Sequence, residues 1–290
     1  MAGNFTVCMV ITQARLHEMF LLRNAEETWL GMRKRQTRFS RYSIVEPGML
    51  LGKLKKTRAD SDCVNFNVDI PREDGWKDSV FEAAFHSAGW DLHFPYPPLD
   101  ENGTAFVCPA AFWETCADDP ARLDQEESHF REHTVNMLGE WVKPGAIIYD
   151  PACSTGAFLG YVMARCPNYD YVASDASDRM IAMARGRLPH AFVADTQDSR
   201  QLFSGCDVVI CRFLNHEVMS GSEAEVALTN VASCCKANGK VIVFGHTPVA
   251  LDLPRAMEKM GAKAVSALGK SVSPYGIFQY YVYELTASVQ

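Results

Sequence analysis

The chain has 290 residues, of which 48% are hydrophobic and 22% charged, and this composition is ordinary for a globular protein. Its length favours one large domain, or one domain with an appendage. It contains no apolar run of about 18 residues, which argues against a membrane-spanning helix and a membrane partner. No basic segment precedes the apolar residues near Met1, so we predict no signal peptide.

Ten cysteines raise the alternatives of disulfides, a zinc site and reduced thiols. No C-x-x-C pair occurs, and the cysteines lie in apolar contexts such as VVICRF. Cys234 and Cys235 are adjacent and would face different directions on a helix. We therefore interpret them as reduced core thiols of a cytoplasmic protein, and we predict no metal site.

Charge is unevenly distributed along the chain. Residues 1–58 hold 11 Lys/Arg and 4 Asp/Glu, a net charge of +7, whereas residues 59–290 carry −14. A basic arm on an acidic body can bind RNA or phosphate. The segment 33-RKRQTRFSR-41 lacks the interleaved aromatic residues of a stacking platform, so we favour an exposed or weakly ordered basic face over a nucleic-acid partner.

The first part of the chain shows mixed signals. Apolar residues among charges predict a helix over 13–35, and the Pro-, Gly- and aromatic-rich stretch 60–110 predicts a loop with short elements. A shared apolar face predicts a second helix over 120–142, which ends at KPG. We interpret residues 1–118 as a mainly helical and loop extension that forms a substrate lid, and residues 119–290 as a separate domain.

From residue 145 onward, short apolar runs alternate with helical segments. The runs are AIIYD, YVASD, AFVAD, DVVICRF and KVIVFGH, at 146–150, 171–175, 191–195, 207–213 and 240–246. Alternating strands and helices predict an α/β domain with a mostly parallel sheet covered on both faces. The strong strand 277-IFQYYVYEL-285 is predicted to insert antiparallel at the sheet edge, with 263–268 beside it.

The turn after the first predicted strand, within 147-IIYDPACSTGAFLGY-161, consists of small residues. Small residues let backbone N–H groups and a helix N-terminus approach a ligand closely. The turn lacks both the G-x-G-x-x-G pattern of a dinucleotide site and the G-x-x-x-x-G-K-[ST] pattern of a phosphate-binding loop. It therefore favours a ligand without a pyrophosphate.

Acidic residues end three successive predicted strands. Asp150 precedes the small-residue turn, Asp175 follows the second strand, and Asp195 follows the third. Ligands of open parallel sheets bind beyond the carboxyl ends of the strands. There, a carboxylate at Asp175 can accept both ribose hydroxyls, and Asp195 is placed to meet an adenine amine. This pattern predicts an adenosine ligand, with strand-end capping as the alternative.

The pattern resembles the class I S-adenosylmethionine (AdoMet) enzymes, which have a Rossmann-like methyltransferase fold. The resemblance covers about residues 120–285 and implies a central seven-stranded sheet, mostly parallel, with an antiparallel last strand. It also implies that AdoMet is bound by a set of residues from the strand ends and the preceding helix, namely Phe130, Asp150, Pro151, Ala152, Cys153, Ser154, Thr155, Gly156, Asp175, Ala176, Asp195, Thr196, Arg212 and Phe213. Arg212 would pair with the AdoMet carboxylate, or form a structural ion pair.

The motif DPACSTG also resembles the first motif of adenine-specific DNA methyltransferases. Those enzymes need an Asn/Asp-Pro-Pro-aromatic motif after the fourth strand, where this chain reads 212-RFLNHEV-218, so base methylation is not expected. Together, DPACSTG, RFLNHEV, VFGHTPV and FQYYV are similar to the isonocardicin and discadenine synthase group, which transfers the 3-amino-3-carboxypropyl arm of AdoMet. The azetidine-2-carboxylate synthases, which cyclise that arm, are related to it.

The resemblance implies displacement of methylthioadenosine from this arm in secondary metabolism, and cyclisation to azetidine-2-carboxylate is our leading expectation. Transfer to a small-molecule acceptor, bound by the aromatic-rich 90-WDLHFPYPP-98, and small-molecule methylation remain alternatives. The substrate would be a small molecule, and a homodimer is left open. The expected catalytic residues are an aromatic ring near the sulfonium, two polar groups that hold the amine and a proton acceptor: Tyr149, Ser177, Asn215 and His216. His246 and Thr247 are weaker candidates.

Overall fold

A computed structural model describes residues 4–33, 44–87, 89–119, 128–271 and 276–286. The described residues form two compact units. The first consists of the described parts of Met1–Arg38, Tyr42–Phe106 and Ser266–Gln279, and the second of those of Val107–Val265 and Tyr280–Gln290. The division therefore falls after Phe106, whereas we predicted a boundary after residue 118. The basic segment at residues 34–41 lies outside the described residues.

The first unit contains a six-stranded antiparallel sheet, which differs from the helical and loop extension we predicted. Its strands are β1 (Phe5–Thr12), β2 (Met19–Arg23), β3 (Thr28–Met32), β4 (Leu50–Ala59), β5 (Cys63–Ile70) and β6 (Asp91–His93), in the order β1-β5-β4-β3-β2-β6. Helix α1 (Trp76–His86) contributes Val80, Phe81 and Ala84 to a core with Phe20, Leu22 and Trp29 from β2 and β3.

The predicted helix over 13–35 is wrong. Residues Gln13–Glu18 form a 3-10 turn, and β2 and β3 form a hairpin over residues 19–32. Residues 34 and 35 lie outside the described residues. The side chain of Asn24 accepts hydrogen bonds of 2.9 Å from the backbone N–H groups of Glu26 and Glu27, which closes the hairpin turn. Such local side-chain bonds compete with helix formation, and they explain why the charged NAEE segment is a turn.

The predicted loop over 60–110 contains a regular strand that we missed. In β5, the alternation of buried Val64, Phe66 and Val68 with more exposed residues is the period of a half-buried strand. Trp90 and Phe94, which we expected to line an acceptor pocket, belong to the hydrophobic core of the first unit.

A seven-stranded sheet corresponds to the predicted α/β sheet. Its strands are β7 (Ile147–Asp150), β8 (Asp170–Asp175), β9 (Ala191–Val193), β10 (Cys206–Cys211), β11 (Cys235–Val243), β12 (Ala262–Ser271) and β13 (Gly276–Leu285), in the order β12-β13-β11-β10-β7-β8-β9. Strands β7 to β11 pair in parallel, and β13 is antiparallel to β11. The Rossmann-like sheet with an antiparallel last strand is therefore confirmed.

The position of the last strand needs a correction. We placed it at the sheet edge, but β13 lies between β11 and β12, and β12 is the edge strand. The burial of β13 fits this position, because nearly all of its residues from Gly276 to Leu285 are buried. Continuous burial is typical of a strand covered on both faces, whereas the first half of β12 is mostly exposed.

In the part of the second unit that the structure describes, two helices precede β7, and the other helices lie between the strands of this sheet. They are α2 (Ala110–Cys116), α3 (Ser128–Trp141), α4 (Ala157–Arg165), α5 (Asp178–Ala184), α6 (Gly221–Ser233) and α7 (Leu253–Lys259). Of the helix predicted over 120–142, Ser128–Trp141 is helical, and residues 120–127 lie outside the described residues. All ten cysteines are free. Among the described residues, no helix is both long and apolar enough to cross a membrane.

Candidate active site

A cavity of about 640 Å³ opens in the second unit beyond the carboxyl ends of β7 to β11, which is a volume typical of small-molecule sites. Thirteen of the predicted site residues line it: Pro151, Ala152, Cys153, Ser154, Thr155, Asp175, Ala176, Ser177, Asp195, Thr196, Arg212, Phe213 and Asn215. The other five predicted residues, Phe130, Tyr149, Asp150, Gly156 and His216, are not part of its lining.

The turn between β7 and α4 brings small residues to the cavity wall. Gly156 has a positive φ of 75°, which favours glycine, and it begins α4. A Cβ at Gly156 would lie 3.1 Å from Cα of Ala184 and 3.0 Å from Cδ1 of Leu188. Gly156 is therefore needed for the packing of α4 near α5, and the five residues before it form the wall.

Asp150 and Arg212 form a buried ion pair at the base of the cavity. Asp150 is 0% exposed, and its carboxylate accepts a 3.1 Å bond from Nε of Arg212 and a 3.3 Å bond from the backbone N–H of Ala152. Arg212 also donates to the carbonyl of Ala152 at 3.3 Å, and its guanidinium lies 4.7 Å from the ring of Phe158. The expectation that Asp150 contacts AdoMet is not supported, because Asp150 is fully buried and is not part of the cavity lining, whereas Arg212 is. Of the two roles considered for Arg212, the structural ion pair is present.

Asp175 lies at the end of β8 with both carboxylate oxygens in use. They accept bonds of 2.8 Å from the backbone N–H of Ser154 and 3.0 Å from that of Ser177. Burial raises the pKa of Asp175 above its usual range, while these two backbone bonds and Arg212 favour the ionised form. Each carboxylate oxygen has a second lone pair, so Asp175 can still accept the two hydroxyls of a ribose, as predicted.

Asp195 and Thr196 line the cavity after β9, together with Gln197. The side chain of Asp195 is exposed and accepts a 2.9 Å bond from the backbone N–H of Gln197. Gln197 in turn donates to the carbonyl of Glu223 at 3.2 Å. Asp195 remains our predicted contact for the adenine amine.

Asn215, after β10, has a side-chain oxygen without a protein partner among the described residues. It is 2% exposed, and its Nδ2 donates to Oγ1 of Thr247 at 2.8 Å and weakly to Glu217 at 3.4 Å. Its buried Oδ1 accepts no hydrogen bond from the described residues. Gly245 leaves room for this side chain, because a Cβ there would lie 3.1 Å from Cγ of Asn215. A buried acceptor without a donor costs stability, so the cavity is suited to a ligand that donates here.

Ser177 lines the cavity and also caps α5, where its hydroxyl accepts a 3.2 Å bond from the backbone N–H of Met180. His216 is 8% exposed and is not part of the lining, so its expected role as proton acceptor is not supported. His246, which follows β11, does line the cavity and packs edge-on against Phe130 at 5.6 Å. Phe130 is itself a core residue, stacked on Phe244 at 4.7 Å, and it does not cover the cavity.

Tyr149 does not reach the cavity. Its hydroxyl bonds to that of Ser174 at 2.7 Å, and its ring stacks on Phe192 and packs edge-on against Phe203. Burial raises the pKa of Tyr149, so the phenol stays protonated. Side chains alternate across a strand, and Tyr149 points to the opposite face from Asp150. The prediction that Tyr149 lies beside the sulfonium is therefore corrected: its side chain packs in the core.

Sequence reasoning missed one wall of the cavity. Five lining residues precede α3 in the chain, namely Val107, Cys108, Ala110, Trp113 and Glu114. The backbone N–H of Cys108 donates to the carbonyl of Glu217 at 2.9 Å, which fastens the start of this segment beside Asn215. No periodic pattern marks the segment, and its aromatic content is the one sequence signal that could have drawn attention to it.

The sequence profile of the family described as "Methyltransferase domain" matches residues 148–239. Isonocardicin synthase from Nocardia uniformis subsp. tsuyamanensis is 32% identical over 240 residues, which cover 83% of this chain and 78% of that protein. The chain belongs to the isonocardicin synthase family. It is an AdoMet-dependent transferase with a class I methyltransferase domain.

Similar solved structures include two methyltransferases. The N-methyltransferase NodS from Bradyrhizobium japonicum WM9, in complex with S-adenosylhomocysteine, is 16% identical with a TM-score of 0.48, over 60% of this chain and 97% of that one. CalS10, an amino pentose methyltransferase from Micromonospora echinaspora with bound AdoMet, is 15% identical with a TM-score of 0.47, over 58% and 96%.

We predict that Tyr149→Phe lowers the free energy of unfolding by about 1 kcal/mol, because it leaves the buried Ser174 hydroxyl with one partner fewer. Turnover of AdoMet should be unchanged, since the ring stays in place. Urea unfolding and steady-state kinetics check both, with Tyr161→Phe, whose hydroxyl bonds to Glu132 at the surface, as the control. A fall in kcat at unchanged stability would return Tyr149 to the active site.

We predict that Asp175→Asn weakens AdoMet binding roughly 10- to 100-fold, because hydrogen bonds to a charged acceptor are the stronger ones. Burial raises the pKa of Asp175, so the carboxylate protonates at a higher pH than an ordinary aspartate. The affinity of the wild-type protein for AdoMet should therefore fall as the pH falls through that raised pKa. The affinity of the variant should not change over the same pH range. Titration calorimetry at several pH values measures it, with Asp198→Asn as the control. Unchanged affinity in Asp175→Asn would refute the ribose contact.

Proposed function

We propose that the protein breaks the bond between sulfur and the γ-carbon of the 3-amino-3-carboxypropyl arm of AdoMet and releases methylthioadenosine. In the leading form of this proposal, the amine of the same arm is the nucleophile and the product is azetidine-2-carboxylate. The relationship to isonocardicin synthase supports the choice of bond. The buried Oδ1 of Asn215 lies in the cavity wall and has no donor among the described residues, and this supports the choice of nucleophile.

The cyclisation moves positive charge within the substrate. The lone pair of the amine forms the new nitrogen–carbon bond, and the electrons of the carbon–sulfur bond go to sulfur, which becomes a neutral thioether. Positive charge therefore leaves sulfur and appears on nitrogen. An oxygen that accepts a hydrogen bond from that nitrogen binds it more strongly as the charge develops, and this lowers the barrier.

An amide oxygen suits this task better than a carboxylate. The amine must be neutral when it attacks, and a carboxylate in contact with it would stabilise the unreactive ammonium form. The amide of Asn215 accepts a hydrogen bond without carrying a charge, and Thr247 fixes its orientation through the 2.8 Å bond from Nδ2. His246, at the cavity wall, replaces His216 as the group that we propose takes the proton from the ammonium.

Two alternatives keep specific support. Transfer of the arm to a small-molecule acceptor is the closer analogy to isonocardicin synthase, and the wall from Val107 to Glu114 offers the acceptor a surface with Trp113. Methyl transfer is consistent with the methyltransferase profile over residues 148–239. The acceptor would then attack the methyl carbon of the sulfonium, and the amine of the arm would not change its charge.

Incubation with AdoMet alone should yield methylthioadenosine and azetidine-2-carboxylate faster than in a sample without enzyme, and mass spectrometry identifies both. Methylthioadenosine with homoserine or its lactone would instead indicate a transferase without its acceptor. If neither forms, and S-adenosylhomocysteine accumulates only when candidate acceptors are added, the protein is a methyltransferase and the proposal fails.

We predict that Asn215→Ala lowers kcat roughly 10- to 100-fold with a smaller change in KM for AdoMet, because its bond strengthens only as charge reaches nitrogen. Asn65→Ala, which removes an exposed amide bonded to Asp60, serves as the control for the exchange itself. A raised KM at unchanged kcat would mean that Asn215 binds the ground state and the transition state equally, as expected for methyl transfer.

A further inference from the structure

The missed wall of the cavity carries a second polar atom for which the described part of the chain offers no partner. Trp113, on α2, lines the cavity, and its Nε1 is buried without an acceptor among the described residues. An indole N–H can only donate, and burying it without an acceptor is costly. The geometry therefore calls for a ligand acceptor at Trp113, just as it calls for a ligand donor at Asn215.

Helix α2 is fastened directly beside the predicted ribose contact. Arg179, in the first turn of α5 and four residues after Asp175, donates to the carbonyl of Glu114 at 3.1 Å and forms an ion pair with Asp118. Glu114 is close enough to act on Asp175, whose pKa is raised by burial and further by the Glu114 charge. The residue next to Trp113 is thus held near the carboxylate at the end of β8.

These bonds help to hold α2 in position. None of the residues of α2, Ala110 to Cys116, is fully buried. Its segment is attached at Cys108, through Glu217, and at Arg179, with the cavity between. A ligand that accepts the Trp113 N–H would add a third attachment, from the inside.

The hydrogen-bond inventory of a ribose fits this arrangement. An ionised carboxylate such as that of Asp175 only accepts hydrogen bonds, so both ribose hydroxyls would donate to it. Their oxygens then retain lone pairs that need donors. We propose that the indole N–H of Trp113 donates to a ribose hydroxyl oxygen of bound AdoMet, and that Arg179 is a positioning residue that holds α2 for this contact.

The proposal concerns the nucleoside and is independent of which bond of AdoMet is broken. AdoMet and methylthioadenosine share the ribose, but only AdoMet has a carboxylate. Trp113→Phe should therefore raise the Kd of both ligands by the same factor, roughly 5- to 10-fold, which corresponds to the net loss of one hydrogen bond. Titration calorimetry measures both constants, and Trp141→Phe, the same exchange outside the cavity lining, should change neither.

The role of Arg179 is tested by a double-mutant cycle. Arg179→Ala should raise the Kd of AdoMet and the Kd of methylthioadenosine by equal factors, as Trp113→Phe does. The double variant should bind both ligands no more weakly than Trp113→Phe alone. Arg179→Lys, which keeps a charge but not two divergent donors, should recover only part of the affinity. Because Arg179→Ala leaves Trp113 intact, it tests the contact even if Trp113→Phe disturbs α2.

Three results would overturn the proposal. Unchanged affinity of both ligands in Trp113→Phe would mean that the N–H bonds to neither. Weaker binding of AdoMet alone would place the N–H on the carboxylate of the arm instead of the ribose. Additive effects of the two substitutions would show that Arg179 acts independently of Trp113. A failure of cyclisation in the product assay would leave all of these measurements interpretable.

Discussion

The buried ion pair of Asp150 and Arg212 joins the ends of the two central strands, β7 and β10. The cavity wall depends on it, because Asp150 also holds the backbone N–H of Ala152 and Arg212 holds its carbonyl. The ring of Phe158, on α4, packs against the guanidinium. Removing one partner of such a pair leaves an uncompensated buried charge and typically costs about 3–5 kcal/mol. The pair therefore supports the structure of the site, and we expect the surrounding residues of the cavity wall to contact the ligand.

Once Arg212 is neutralised by Asp150, the charge of the cavity wall is dominated by carboxylates. They are Glu114, Asp175, Asp195, Glu217 and Glu223. A sulfonium is a cation, and a cleft lined by carboxylates raises the local concentration of such a ligand. Methylthioadenosine carries no such charge. Breaking a carbon–sulfur bond would therefore remove the attraction that drew the substrate in and would favour release of the product.

The parallel sheet and its ligand edge could be predicted because they follow from local patterns. Five apolar runs alternate with helical segments, and acids or small residues follow the strand ends, where ligands of such sheets bind. The side chain of Tyr149 could not be placed in the same way. One residue more or less along a strand reverses the face, and Tyr149 packs on the face opposite Asp150. Whether a residue near a strand end faces the cavity therefore depends more on its odd or even position along the strand than on its chemical type.

The antiparallel sheet of the first unit was missed for a different reason. The apolar residues of 19–32 fit a helical period nearly as well as two short strands, and the deciding feature was the turn at Asn24. The wall from Val107 to Glu114 has no periodic pattern, since α2 buries none of its residues. Such a segment is defined by what it covers, and that information is contained in the tertiary structure rather than in the local sequence.

Asn215 and Trp113 have complementary requirements. One presents a buried acceptor and the other a buried donor, and both lie in the wall of one cavity with no partner among the described residues. A native protein keeps few such groups, since each is costly, and those it keeps call for a physical reason. AdoMet has hydroxyl oxygens that accept and an amine that donates, so a single ligand could satisfy both. In the proposed cyclisation, the binding energy gained at the ribose would be available to hold the arm folded, with its amine against Asn215, which is the geometry that a strained four-membered ring requires.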